Sequence, residues 1–208
     1  MTGREAESRG APAPDETFER AVAEARACRI CEDHLPLGPR PVFRVSPTAR
    51  LLIVGQAPGT RVHETGIPWN DRSGDRLRDW LAVDGETFYD ESHIAIVPAG
   101  FCYPGRDPRG GDMPPRPECA PAWHGRLLAH MPRIELTLLV GQYAQAIYLG
   151  ARRRPTLTET VAAWRDYLPD HLPLPHPSWR NTAWLRRNPW FEAELLPELR
   201  ARVRARLA

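Results

Sequence analysis

The chain has no lysine: all 28 of its basic residues are arginine. A lysine nucleophile is thereby excluded, and with it Schiff-base chemistry through a lysine side chain. Long apolar runs are missing too. None approaches the roughly 18 residues that a membrane-spanning helix needs. The opening stretch, Met1 to Glu16, is polar and lacks the apolar segment of a secretory signal, which predicts a cytoplasmic, reducing location. No internal repeat or low-complexity array is present. Charge of one sign is nearly absent as a net quantity: 28 arginines against 26 acids leave +2, which selects no partner.

What is there suits a folded domain. With 208 residues, 42% of them hydrophobic, the chain can bury a core, and its length fits one domain. Residues 1–14 read as a flexible tail and 15–208 as the domain. Arginine without lysine is what a GC-rich genome produces, and also what phosphate binding favours, because guanidinium grips phosphate in a bidentate fork. Position says more than number. Residues 1–150 hold 17 Arg and 20 acids, net −3, whereas 151–208 hold 11 Arg and 6 acids, net +5. That C-terminal excess, from Arg152 to Arg206, reads either as a solvated helix face or as a nucleic-acid backbone footprint.

Four short apolar runs read as buried strands: Leu51–Val54, His93–Val97, Leu136–Val140 and His171–Pro175. The last contains prolines that cannot donate to a ladder, so it is expected short or at an edge. Helix-like stretches lie between them, at about 16–27 (with Asp15 as cap), 73–82, 121–131, 142–149 and 158–167. Asn188-Pro189 has the start signature of a last helix, which Pro197 is expected to divide. Alternating strands and helices predict an α/β fold, a three-layer α/β/α arrangement with a central, mostly parallel four-stranded sheet. Ligands of such sheets sit beyond the carboxyl ends of the strands. Each run here is followed by unusual content: Gly55-Gln56-Ala57-Pro58-Gly59 after the first, the Pro/Gly/Cys-rich loop 98–119 after the second, Gly141-Gln142-Tyr143 after the third, and His176-Pro177-Ser178-Trp179-Arg180-Asn181 after the fourth. One composite site follows from that placement.

The four cysteines are Cys28, Cys31, Cys102 and Cys119. A C-x2-C pair with two further cysteines can close a tetrahedral thiolate site for zinc or hold the corners of a [4Fe-4S] cluster. The wide C-x16-C spacing leans towards iron–sulfur; the plainer reading is buried free thiols. His34 and His124 lie nearby in sequence and read as further ligands or, more plainly, as surface histidines. In the first loop, glycines let backbone N–H groups approach a ligand, and Gln56 offers both a donor and an acceptor. Trp69 reads as core or as a platform on which a base stacks.

Taken in order, C-x2-C, strand-GQAPG, T-G-x-P-aromatic, S-G, the C-x16-C loop, strand-VGQ and H-P-S resemble the uracil-DNA glycosylase superfamily, most closely its iron–sulfur families 4 and 5. Gly55 to Gly74 aligns with the family-4 first motif without a gap, and the likeness spans about residues 20–196. The resemblance implies a monofunctional glycosylase that flips uracil, or another deaminated base such as hypoxanthine or xanthine, out of DNA and hydrolyses the N-glycosidic bond in base excision repair. It implies that Gly55, Gln56, Ala57, Pro58 and Gly59 line the base pocket with Trp69 stacking and Ser178 nearby. His176 would stabilise negative charge on the departing base. Trp179, Arg180 and Asn181 would enter the DNA, with Trp179 or Arg180 as the wedge. Cys28, Cys31, Cys102 and Cys119 would hold a structural [4Fe-4S] cluster. A monomer is expected, with DNA as its partner and no membrane.

This chain departs from the family at three positions. Gln56 stands where family 4 has an acid. Val62 stands where it has a second acid, leaving His63 and Glu64 as the nearest replacements for activating water. Pro98 stands where it has a base-reading asparagine. Two other readings therefore stay open. One is a catalytically inactive nucleic-acid-binding member of the same fold; the other is an unrelated α/β enzyme such as a nucleotide hydrolase.

Overall fold

The computed structural model describes residues 16–207. The expected tail and the Asp15 cap lie outside the described residues. The first helix, α1 (Phe18–Arg26), is capped instead by Thr17, whose hydroxyl accepts from the Arg20 N–H at 3.2 Å. The four apolar runs form β1 (Leu51–Val54), β2 (Ile94–Ile96), β3 (Leu136–Val140) and β4 (His171–Leu174). They make one sheet in the order β2-β1-β3-β4, with every pairing parallel. The proline-bearing β4 is an edge strand, and its Pro173 sits opposite Leu139.

The continuous apolar character of the strands has a direct cause: both faces of the sheet are covered. Along β1, Leu51 and Ile53 point into one core, while Leu52 and Val54 point into the other. The first core is closed by α3 (Arg72–Leu81), α4 (Gly85–Tyr89), α7 (Leu157–Ala162) and α9 (Leu196–Leu207), through Leu77, Phe88, Val161 and Leu199. The second is closed by α1, α5 (Cys119–Ala129) and α6 (Gln142–Leu149), through Ala25, Leu127 and Ala144. Each fully buried aliphatic side chain there stabilises by about 1.5–3 kcal/mol. The three-layer α/β/α architecture is thus present.

Local differences from the sequence expectation have local causes. The fifth helix begins at Cys119, two residues earlier than periodicity indicated, so Cys119 lies in its first turn. The stretch 158–167 is split into α7, fixed by a Thr156/Glu159 capping box, and a tight turn over Trp164–Tyr167. In the last helical segment, Phe191–Leu195 winds as a wide π-helical turn before α9. Pro197 lacks an N–H and crowds the carbonyl four residues back, and the widened turn absorbs it without a break. Three short helices, α2 (Thr60–Thr65), α4 and α8 (Thr182–Arg187), carry too few turns to show a periodicity. Among the described residues no helix is long and apolar enough to cross a membrane.

Candidate active site

Because all four strands run parallel, their carboxyl ends share one sheet edge, and the chain departs to either side of β1. That switch point opens a cleft of about 780 Å3. Its walls include Gly55, Gln56, Ala57, Pro58 and Gly59 after β1, Pro98 after β2, Gln142 after β3, and His176, Ser178, Trp179, Arg180 and Asn181 after β4. The base-pocket and DNA-loop residues expected from sequence are therefore brought to one place.

The β1 turn is held from behind. The Gly55 and Gln56 carbonyls accept from the N–H groups of Ala99 and Gly100, each at 2.9 Å. The Gln56 side chain donates to the Met113 carbonyl at 3.1 Å. Trp69 lies in the left-handed region at φ 57°, a costly conformation for a bulky residue. Two glycines make room for it: a β-carbon on Gly55 would fall 2.7 Å from the indole Cζ2, and one on Gly74 would fall 1.7 Å from the Trp69 carbonyl oxygen. This is why the Gly55–Gly74 block is a glycine-bounded unit. The Trp69 ring packs 5.6 Å from the His176 ring.

His176 accepts the Ser178 N–H on Nδ1 at 3.2 Å, which places the imidazole proton on Nε2. Nε2 has no protein partner among the described residues. Burial lowers the His176 pKa, with Asp71 opposing, so the ring is a neutral donor at neutral pH. The loop after it is tied down by three bonds. Asn181 Nδ2 donates to the His176 carbonyl at 2.7 Å, Arg76 donates to the Ser178 carbonyl at 3.1 Å, and Ser178 Oγ accepts from the Arg180 N–H at 3.3 Å. Asn181 and Ser178 thus shape the loop as well as line the cleft. Trp179, 71% exposed, projects from it. Arg180 reaches across the mouth to the Gly110 carbonyl at 3.3 Å.

His63 and Glu64 are not in the cleft. Successive helical residues are about 100° apart, and the face that α2 turns to the cleft carries Arg61 and Val62. Val62 forms a buried apolar wall there. His63 packs beside Tyr103 with ring centroids 6.1 Å apart, and Glu64 is exposed with its carbonyl bonded to Arg40. The carboxylates that do line the cleft are Asp71 and Asp112. Asp71 caps α3, its Oδ1 accepting the Gly74 N–H at 2.8 Å. Asp112 follows Gly110 and Gly111, both at positive φ, in a turn whose ends pair at Arg106 and Asp112. A Gly-Gly-Asp turn in a loop following a strand was the available signal for it.

Pro98 also lines the cleft, but its carbonyl faces inward. It is bonded at 2.9 Å to Nε2 of His124, whose Nδ1 is 2.9 Å from the Tyr148 hydroxyl. His124 is therefore a core residue, only 5% exposed, and not a surface histidine; burial pushes its pKa down to about 4. His34 is exposed, as expected.

The four cysteines are free and line one narrow pocket. The Trp123 indole donates to Cys28 Sγ at 3.2 Å and the Phe101 N–H to Cys119 Sγ at 3.3 Å. Burial pushes the Cys102 thiol up to about 11 and the Cys119 thiol up to about 12, and the neighbouring sulfurs oppose one another's ionisation. A cationic group among them would reverse that balance. The donor set, soft sulfur with N–H support, fits such a group. No closed coordination shell is formed, however: among the described residues no three His, Cys, Asp or Glu side chains are placed to hold a metal ion.

Several of the C-terminal arginines are engaged within the protein. Arg154 pairs with Asp166, Arg165 with Glu194, Arg202 with Glu198 and Arg206 with Glu135, while Arg200 donates to the Asp79 and Trp80 carbonyls. The cations at the cleft are Arg180 from that C-terminal segment and Arg61 and Arg72 from earlier in the chain.

A parallel sheet, a glycine-bounded turn after β1 and a histidine loop after β4 meet at this cleft. The family model of the uracil DNA glycosylase superfamily matches residues 43–200, which contain all of these elements. The match covers 158 of 208 residues, and the chain belongs to the uracil DNA glycosylase superfamily.

Proposed function

We propose that the protein is a monofunctional DNA glycosylase that removes uracil, or a related deaminated base, from DNA. The observation that carries this reading is His176: a neutral imidazole whose Nε2–H has no protein partner among the described residues, set in the cleft at the strand ends. A base inside a duplex is out of reach and must rotate outward, at a cost of a few kcal/mol. Trp179 would fill the gap it leaves, and Arg61, Arg72 and Arg180 would meet phosphates. As the glycosidic bond breaks, electrons move onto the base. The His176 N–H, fixed before reaction, stabilises that charge, and one such donor is worth about 3–4 kcal/mol. With no lysine in the chain, the abasic sugar is released without Schiff-base cleavage.

The kinship would lie with the iron–sulfur families 4 and 5. Cys28, Cys31, Cys102 and Cys119 would hold a [4Fe-4S] cluster, whose contribution when bound is to cross-link three chain segments. Support comes from the convergence of all four sulfurs on one pocket. The protein would act as a cytoplasmic monomer. A catalytically silent DNA-binding protein is the second reading, favoured by the apolar Val62 and Pro98 in the cleft wall. Duplexes each carrying one uracil, hypoxanthine or xanthine separate the two. Alkali-labile abasic sites on the uracil strand support excision; binding without any abasic site supports the second reading.

A further inference from the structure

Hydrolysis of a glycosidic bond needs a group on the sugar side as well as on the base side. The helix residues nearest the family's acid position are unsuited, since Val62 is apolar and His63 and Glu64 lie outside the cleft. Of the two carboxylates in the cleft, Asp71 is committed to capping α3. Asp112 has no hydrogen-bonded protein partner among the described residues. Its Oδ2 lies 3.3 Å from the point a β-carbon on Gly59 would occupy, so it rests on the base-pocket turn and lines the cleft. The charged groups that face it are Arg106 on its own turn, Arg180 from the histidine loop and Asp71 from the start of α3.

We propose that Asp112 is the sugar-side catalytic carboxylate. The inference rests on the glycosylase reading above. The C1′–N bond breaks with its electron pair leaving on the base, where the His176 Nε2–H meets it. Asp112 faces the positive charge that develops on the sugar and orients one water. The water oxygen bonds C1′, its proton passes to Asp112, and the base takes up a proton from solvent as it departs. The products are the free base and an abasic sugar, and no oxidant or further reactant is needed. Crowding by the cleft walls raises the Asp112 pKa, reinforced by Asp71 and opposed by Arg106 and Arg180, which makes it a better proton acceptor than an ordinary aspartate.

Single-turnover excision from a uracil duplex, with duplex affinity measured by fluorescence anisotropy, tests the assignment. Asp112→Asn is expected to slow excision by about 10²–10⁴-fold, the range for a positioned acid–base group, while affinity stays within about threefold. Asp112→Glu should recover part of the loss. Excision by Asp112→Asn within about threefold of the unsubstituted protein overturns the assignment and leaves the glycosylase reading standing. An unsubstituted protein that excises no base from any duplex overturns both.

Discussion

His124 allows the structure to be tested by stability alone. Its two nitrogens are bonded to the Pro98 carbonyl and the Tyr148 hydroxyl, and its ring stacks on Phe101 at 5.9 Å and 17°. His124→Phe keeps the stack but strands two buried partners, each costing about 1–3 kcal/mol. A total of roughly 2–6 kcal/mol is expected at pH 7.5. The pH dependence gives a second handle. Burial depresses the folded-state pKa from the usual imidazole value of about 6.5 to about 4. Between these values the unfolded chain binds the proton and the folded one does not, so the stability present above about 6.5 is lost as pH falls towards 4. A shift of that size corresponds to about 3 kcal/mol in full, of which about 2 kcal/mol is lost between pH 7 and 5. His171 and His176 shift in the same direction, so the difference between proteins is the informative quantity. Denaturant unfolding at both pH values should show the cost of His124→Phe shrinking by about 2 kcal/mol at pH 5. A cost below about 1 kcal/mol at pH 7.5, or one unchanged by pH, would refute the buried, doubly bonded histidine.

Three further outcomes are expected. Gly74→Ala places a methyl 1.7 Å from the Trp69 carbonyl oxygen and should destabilise by about 3 kcal/mol or more, read as a drop in Tm; a change under about 1 kcal/mol would contradict the packing of that block. Trp179→Ala should leave Tm nearly unchanged, because the side chain is 71% exposed, yet weaken duplex binding by about 1–3 kcal/mol, as loss of one base stack does. Unchanged affinity would remove its role as a wedge. The purified protein should be brown with roughly four irons per chain, and Cys102→Ser should lose them; colourless protein carrying one zinc would count against the cluster.

The fold was legible where burial wrote it into the chain. Both faces of the sheet are covered, so Leu51–Val54 and Leu136–Val140 are apolar at every turn of the pleat except Thr137, and the prolines of β4 marked an edge. The Gly55–Gly74 block was legible because Trp69 excludes side chains at both ends. Asp112 was not, since nothing periodic in a glycine- and proline-rich loop says that it folds back over the β1 turn. His124 was misread because its partners, Pro98 and Tyr148, lie 26 and 24 residues away. The C-terminal arginines were ambiguous for the same reason: Glu135, Glu194 and Asp79 become their partners only in three dimensions.

The central claim is that this cleft breaks a glycosidic bond through the unpartnered His176 N–H. Single-turnover excision by His176→Ala on a uracil duplex addresses it most directly. The account predicts a loss of about 10²–10³-fold, as for removal of one preorganised donor, with duplex binding retained. Excision at the unsubstituted rate would contradict it.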